Sequence, residues 1–374
     1  MTPDWRSRVL DEVDAGEEAM VGLLCLMVRE PSVSGSDEEN SSQAELARVL
    51  DRSGFETDHW RVPLEDMLAS PDFPGIEVPR TEAWGLVGRL PGRGDGPSLM
   101  LNGHIDVVPA GPADAWRTGN PYAGTVLGDA VHGRGACDMK GGLVSALWAV
   151  TALRRSGAPL RGDVLLASVQ GEEDGGLGTF ATLARGWRAD ACVIPEPTSL
   201  DIVPANAGAL TFQLRIPGMA THASRHLEGI SAIGKLWPIW TALHELEAVR
   251  NADVDPLFSR WELPYPICIG TVSSGVWASS VPDLLVADGR MGVALASRSR
   301  WRGRSSRRRW RRPAPRTPGS ATTPSRSSGG EVSSPRVRSP RGRRCSARCR
   351  RPTRPSPAAG GRRSGAPRTA ATSG

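Results

Sequence analysis

The sequence predicts an α/β domain over residues 1–200, a smaller α+β domain over 201–296 and a disordered basic tail over 297–374, and three observations carry that division. In the first stretch, short apolar runs alternate with helical patterns, and each run ends on a polar residue, the signature of a sheet whose helices connect its strands. After Thr198 the texture changes to longer, half-exposed strands around one helix. From residue 297 onward the chain is mostly Arg, Pro, Ser, Gly and Ala.

The elements follow in order. Apolar spacing predicts one helix from Asp4 to about Arg29, stopped by Pro31, and a second from Ser42 to Arg52, ended by Gly54. A proline-punctuated stretch (Pro63, Pro71, Pro74, Pro79) precedes predicted strands at Trp84–Leu90 and Ser98–Asn102, the second running into His104-Ile105-Asp106. The glycine-rich run Gly133 to Gly142 leads into a helix over Leu143–Arg155. A strand at Asp163–Ser168 runs into Gln170-Gly171-Glu172-Glu173-Asp174, and another at Ala189–Ile194 ends at Pro195-Glu196-Pro197-Thr198. Beyond these, Leu210–Ile216, Ile267–Val272 and Leu284–Val293 read as strands and Ile230–Val249 as a helix.

Charge divides the chain in the same place. Residues 297–374 hold 23 Arg, no Lys and a single acid, Glu331, whereas residues 1–296 hold 39 acidic and 23 basic side chains. With 39% hydrophobic residues over 374 positions, and no apolar run long enough to span a bilayer, the composition excludes a fibre or an integral membrane protein. Six irregularly spaced cysteines with no CxxC pair predict reduced thiols, and the N-terminus lacks the features of an export signal; both point to the cytoplasm.

The chemistry lies at the strand ends: His104, Asp106, Asp138, Glu172, Glu173 and Glu196 all fall at or just after them. Carboxylates leaving apolar strands need a cation to meet them. Imidazole with several carboxylates supplies the N and O donors and the negative charge that suit zinc or a similar divalent metal, with cobalt or manganese able to replace it. His104 and Asp106, two apart in an extended segment, face the same side, so Asp106 can fix the imidazole tautomer. Glu172 and Glu173 diverge, leaving one to bind metal and the other to act as a general base. Each piece has a plain structural reading: a lone His-x-Asp is commonplace, paired Glu usually marks a solvated surface, and Asp138 alone could be a helix N-cap before Leu143. The run GRGACDMKGG lacks the spacing of a phosphate loop. It is the joint occurrence, in this order and at strand ends, that points to a metal centre.

Gly103-His104-Ile105-Asp106-Val107-Val108-Pro109, then Gly133-Arg134-Gly135 through Asp138-Met139-Lys140-Gly141-Gly142, then Gly171-Glu172-Glu173, then Glu196-Pro197-Thr198 together resemble the zinc metallopeptidase family of aminoacylase, acetylornithine deacetylase, succinyl-diaminopimelate desuccinylase and carboxypeptidase G. The resemblance covers roughly residues 1–296. It implies a zinc-exopeptidase-like catalytic domain with an inserted lid and dimerisation domain, two zinc ions bridged by Asp138 and a water, and hydrolysis of an N-acyl amino acid or small peptide. By the family's pattern His104 and Glu196 complete one metal and Glu173 binds the other, while Asp106 orients His104 and Glu172 serves as general base. Thr221-His222-Ala223-Ser224 matches the motif whose histidine stabilises the oxyanion in a neighbouring active site, so His222 carries that role and a homodimer is implied. Arg290 falls where the family places an arginine for the substrate carboxylate, whereas Ser280 stands where many members have Asn.

The resemblance also implies a final metal-ligand histidine after the lid, and here no histidine follows His244. With only Trp301, Trp310, Val332 and Val337 as sizeable apolar side chains, the tail cannot bury enough surface to offset its conformational entropy. Two explanations compete: a basic arm that binds nucleic acid through its phosphates, or out-of-frame translation of GC-rich DNA. The change of texture in mid-domain favours the second; with the last histidine absent the second metal has Asp138 and Glu173 but one ligand too few, so the chain is expected to be a poor or inactive amidohydrolase, with a remnant that binds metal only or nucleic-acid binding through the tail as the alternatives.

Overall fold

The computed structural model describes residues 4–73 and 75–295. They fall into two compact units that divide between Leu200 and Asp201. Expectations for residues 297–374, whether a disordered tail, a nucleic-acid arm or a frameshift product, lie outside the described residues.

The first unit runs α1 (Trp5–Ala15), α2 (Glu17–Arg29), α3 (Asp37–Arg52), β1 (Glu56–Arg61), α4 (Leu64–Ala69), β2 (Trp84–Leu90), β3 (Leu99–His104), a β4–β5 hairpin (Thr125–Leu127 and Ala130–His132), α5 (Gly141–Arg155), β6 (Val164–Val169), α6 (Leu177–Ala184) and β7 (Ala191–Val193). Five strands form one mixed sheet in the order β1-β2-β6-β3-β7. β1, β2 and β6 pair antiparallel, while β6, β3 and β7 run parallel. Because side chains alternate across a strand, β6 feeds two cores. Leu166 faces one, with Leu46, Leu50, Leu86, Ile105, Leu143 and Leu147, under α3 and α5. Leu165 and Ala167 face the other, with Val87, Met100, Leu177 and Ala181, under α6. The central strands β2, β6 and β3 thus lie between two helical layers and are largely buried on both faces.

The single helix predicted from Asp4 to Arg29 is two helices broken at Gly16. The break is tertiary: a β-carbon at Gly16 would come within 2.0 Å of Trp148 Nε1, so only glycine lets α5's indole pack at this corner. α3 begins five residues earlier than the apolar pattern indicates, because the Ser36 hydroxyl accepts from the Glu39 amide and caps it. The polar strand β1 and the short helices α4 and α6 have no counterpart in the prediction.

The second unit holds β8 (Gly208–Pro217), α7 (Ala232–Asn251), β9 (Ile267–Ser274) and β10 (Leu284–Val293). β10 lies between the other two strands, antiparallel to both. Ile216, Leu285 and Ala287 pack on Ala232, and Ile267 and Met291 on Leu243 and Leu246, so α7 covers one face of a three-stranded sheet. Among the described residues no helix is long and apolar enough to cross a membrane.

Candidate metal centre

Parallel pairing assembles the site. Neighbouring parallel strands release their chains at the same edge of the sheet, which is why ligands gather at carboxyl ends. β3 pairs with β6 up to His104 opposite Val169, and with β7 up to Leu101 opposite Val193. The segments following these three strands, holding Asp106, Glu172 with Glu173, and Glu196, therefore emerge side by side. Asp138 arrives from the turn before α5.

His104 is buried at the end of β3. Its Nε2 lies 3.1 Å from Asp138 Oδ1 and 3.9 Å from Glu196 Oε1. His104, Asp138 and Glu196 each offer a ligand atom, all within 4.8 Å of one another. One imidazole nitrogen and two carboxylate oxygens at that spacing fit a divalent cation. Glu173 stands outside this group of three, although its carboxyl feels the charge of Asp138.

The electrostatics match a site short of positive charge. Burial pulls the His104 imidazole down, but the hydrogen bond to Asp138 and the charges of Asp106 and Glu172 outweigh it and raise the group to about 9. The same hydrogen bond holds the Asp138 carboxyl below the ordinary range against its partial burial. Burial pushes Glu196 up to about 7, with His104 opposing and Asp138 and Glu172 adding to the rise. Glu173 is likewise raised to about 7, first by burial and then by Asp138. Carboxyls that repel one another and a proton-holding imidazole are what a cation would relieve.

Asp106 is fully buried and works differently from its sequence expectation. Its main-chain carbonyl, not its carboxylate, meets His104 Nδ1 at 2.8 Å, and the carboxylate oxygen is 3.7 Å from that nitrogen. The carboxylate instead accepts from the Ser34 hydroxyl at 2.8 Å and from the amides of Glu172 and Glu173 at 3.2 and 3.3 Å. The correction follows from the chain's turn after His104: the peptide oxygen already occupies the place in front of Nδ1. The N-cap reading of Asp138 also fails, since α5 starts at Gly141 with Lys140 at its cap position and no side-chain cap bond. Glu172 is exposed and Glu173 half-buried.

Sequence reasoning missed the frame beneath these groups. Lys140 is buried and donates to the carbonyls of Met27 and Glu30 at 2.8 and 2.9 Å, tying the Asp138 turn to the end of α2. Arg80 is buried between Glu39 and Asp174. A lone buried cation has no periodic signature, so composition alone could not flag either residue.

His222 and Arg290 belong to the second unit. His222 is exposed, with Nδ1 2.9 Å from Ser224 Oγ and a bridge to Ser280. Arg290 is exposed on β10, opposite Thr211 of β8 and Cys268 of β9. Cys25, Cys137, Cys192 and Cys268 are free thiols.

Comparison with known proteins gives consistent results. The model of "Peptidase family M20/M25/M40" matches residues 100–338. A succinyl-diaminopimelate desuccinylase of Methylobacterium sp. is 35% identical over 209 residues, covering 53% of this chain and 48% of the relative. An N-formyl-4-amino-5-aminomethyl-2-methylpyrimidine deformylase of Halalkalibacterium halodurans is 29% identical over 250 residues, covering 64% of this chain and 55% of the relative. The chain thus spans about half the length of these curated relatives. In fold it is similar to a di-peptidase from Saccharomyces cerevisiae, with a TM-score of 0.60 at 18% identity over 80% of this chain and 74% of the other. The relatives are named as hydrolases, which supports the hydrolase reading and lends nothing to nucleic-acid binding.

Proposed function

The chain belongs to peptidase family M20/M25/M40, a family of metal-dependent hydrolases, and from that premise we propose that it hydrolyses the amide bond of an N-acyl amino acid or small peptide. The observation that carries the reading is the convergence of His104, Asp138 and Glu196 at the carboxyl ends of parallel strands.

His104 and Glu196 would hold one cation, Glu173 a second, and Asp138 would stand between them. Zinc is the metal proposed, two per subunit in the family, with cobalt able to replace it; for the second ion this chain offers Asp138 and Glu173 without the family's final histidine. When bound, such ions supply Lewis acidity toward a carbonyl oxygen and a water of lowered pKa. The remaining work falls to the chain. Glu172 takes a proton from the attacking water onto its carboxylate and returns it to the leaving amine nitrogen as the C–N bond breaks. Asp106 keeps its place by accepting from the Glu172 and Glu173 amides and presents its carbonyl to His104 Nδ1, an arrangement that would leave Nε2 free to hold a cation.

Residues 201–296 form the proposed lid and dimerisation domain. Within it His222 would donate a hydrogen bond to the carbonyl oxygen in a neighbouring active site as that oxygen gains negative charge, and Arg290 would pair with a substrate carboxylate. Those two roles, the homodimer and the acyl classes succinyl, acetyl and formyl rest on the family resemblance and on the names of the relatives. A cytoplasmic location is supported by the four thiols that are free among the described residues.

The test is amine release from N-succinyl, N-acetyl and N-formyl amino acids by the zinc- or cobalt-loaded full chain. Glu172→Ala should keep its metal and lose turnover; retained turnover removes Glu172 as base, and no turnover by the unsubstituted chain on any of the three classes removes the reading.

A further inference from the structure

The loop that carries Glu172 and Glu173 is fastened through its main chain. Three successive amides donate to buried carboxylates: Gly171 to Glu39 Oε1 at 2.8 Å, Glu172 to Asp106 Oδ1 at 3.2 Å and Glu173 to Asp106 Oδ2 at 3.3 Å. Asp106 follows the end of β3, but Glu39 lies in the first turn of α3, a separate element. Gln170 just before the loop also reaches that helix, its Nε2 donating to the Glu39 carbonyl and Asn40 Oδ1 at 3.0 and 3.1 Å, and Arg80 adds a charged link between helix and loop. Arg80 donates from Nη1 to both Glu39 oxygens, at 3.1 and 2.9 Å, and from Nη2 to Asp174 Oδ2 at 2.8 Å. The Arg80 and Glu39 side chains are 1% exposed and that of Asp174 4%, so water does not screen the cluster.

The loop also packs directly against these charges. Gly171 has φ +64°, and a β-carbon there would come within 2.8 Å of Asp174 Oδ1 and 3.0 Å of Arg80 Nη2. Asp174 further accepts from the Val78 amide at 3.2 Å, so the segment that delivers Arg80 is bound to the same carboxylate.

A buried ion triad is a poor device for stability, because well-packed neutral side chains of similar volume usually serve as well or better. What a guanidinium adds is direction: a rigid planar fork that fixes two carboxylates at once, which the point charge of a lysine does not. We infer that Arg80 is a positioning residue whose single guanidinium clamps the 171–176 loop to α3, and so holds Glu172 where its carboxylate reaches the reacting water. The catalytic half of this inference rests on the proposed role of Glu172. The clamp itself does not.

Two variants of the full chain test it: Arg80→Lys, and the neutral triple variant Glu39→Gln, Arg80→Met, Asp174→Asn, which keeps the volume and leaves no unpaired charge. Hydrogen exchange is followed on peptides covering residues 170–176 and on those from β3 and β6, alongside steady-state kinetics and metal content. Loop exchange should accelerate at least about tenfold in both variants while the strand peptides keep their rates. A misplacement of about 1 Å costs about a hundredfold in turnover, so kcat should fall on that order with KM changing less than about threefold and with metal retained. Should Arg80→Lys fail to fold, the triple variant decides. A triple variant that melts like the unsubstituted protein and exchanges its loop at the same rate, or keeps its kcat, overturns the inference. If the unsubstituted chain hydrolyses no amide, the role of Glu172 falls, and the exchange rates still decide whether Arg80 is a clamp.

Discussion

His104 Nε2 and Asp138 Oδ1 lie 3.1 Å apart although 34 residues separate them in the chain. Without a metal the imidazole, whose burial is outweighed by that hydrogen bond and by the nearby carboxylates so that it is raised to about 9, keeps its proton at neutral pH. A cation must displace it. Metal affinity should therefore rise with pH across 6.5 to 8.5, by up to about tenfold per unit from this proton alone. Competition titrations with a chromophoric chelator at both pH values check it; an affinity that does not change with pH would contradict the assignment of His104 as a ligand.

Stability of the metal-free protein should run the other way. Glu39, Glu173 and Glu196 are each raised from 4.5 to about 7, chiefly by burial, and His104 from 6.5 to about 9. All four bind more protons folded than unfolded, so their contribution is full below pH 4.5 for the carboxyls and 6.5 for the histidine, and is lost as pH climbs through 7 and then 9. The melting temperature of the chelator-treated chain should fall between pH 5.5 and 9, and saturating zinc should reduce that slope. A melting temperature that rises over this interval without metal would refute the linkage.

Ser34→Ala removes the hydroxyl that donates to Asp106 Oδ2 at 2.8 Å inside the protein. A buried bond to a carboxylate is worth about 2 kcal/mol, and its loss should appear as that much destabilisation in urea with an unchanged denaturant slope. Asp106 keeps both loop amides, so metal content should stay at the unsubstituted level.

Gly171→Ala places a side chain at φ +64° and 2.8 Å from Asp174 Oδ1. Left-handed backbone costs about 1–2 kcal/mol for an L-residue before any contact is counted. The variant should lose at least about 2 kcal/mol in urea unfolding, whereas alanine at Gly128, where nothing lies within 4 Å of the added carbon, should lose only the backbone part.

Much of this architecture is legible in one sequence, for local reasons. Trp84–Leu90 and Leu284–Val293 keep their predicted bounds because apolar runs flanked by polar residues encode them directly. His104 and Glu196 stand out because polar side chains at strand ends interrupt such runs. The break at Gly16 is hidden, since its cause, Trp148, arrives from α5. The polar strand β1 is held by pairing with β2, residue by residue from Glu56 opposite Arg89, and not by its own composition. Arg80 is the plainest case: its partners stand 41 and 94 positions away, and no pattern near it marks a buried cation. What sequence conceals here is partnership across distance.

The anchoring of the 171–176 loop by its peptide groups separates two things that usually change together. Glu39 and Asp106 grip main-chain N–H groups, which every amino acid except proline possesses, so the frame is indifferent to which side chains stand at 172 and 173. A lineage can therefore explore new reactivity at those two positions by single substitutions while inheriting the scaffold unchanged. The same arrangement makes them the natural entry points for redesign.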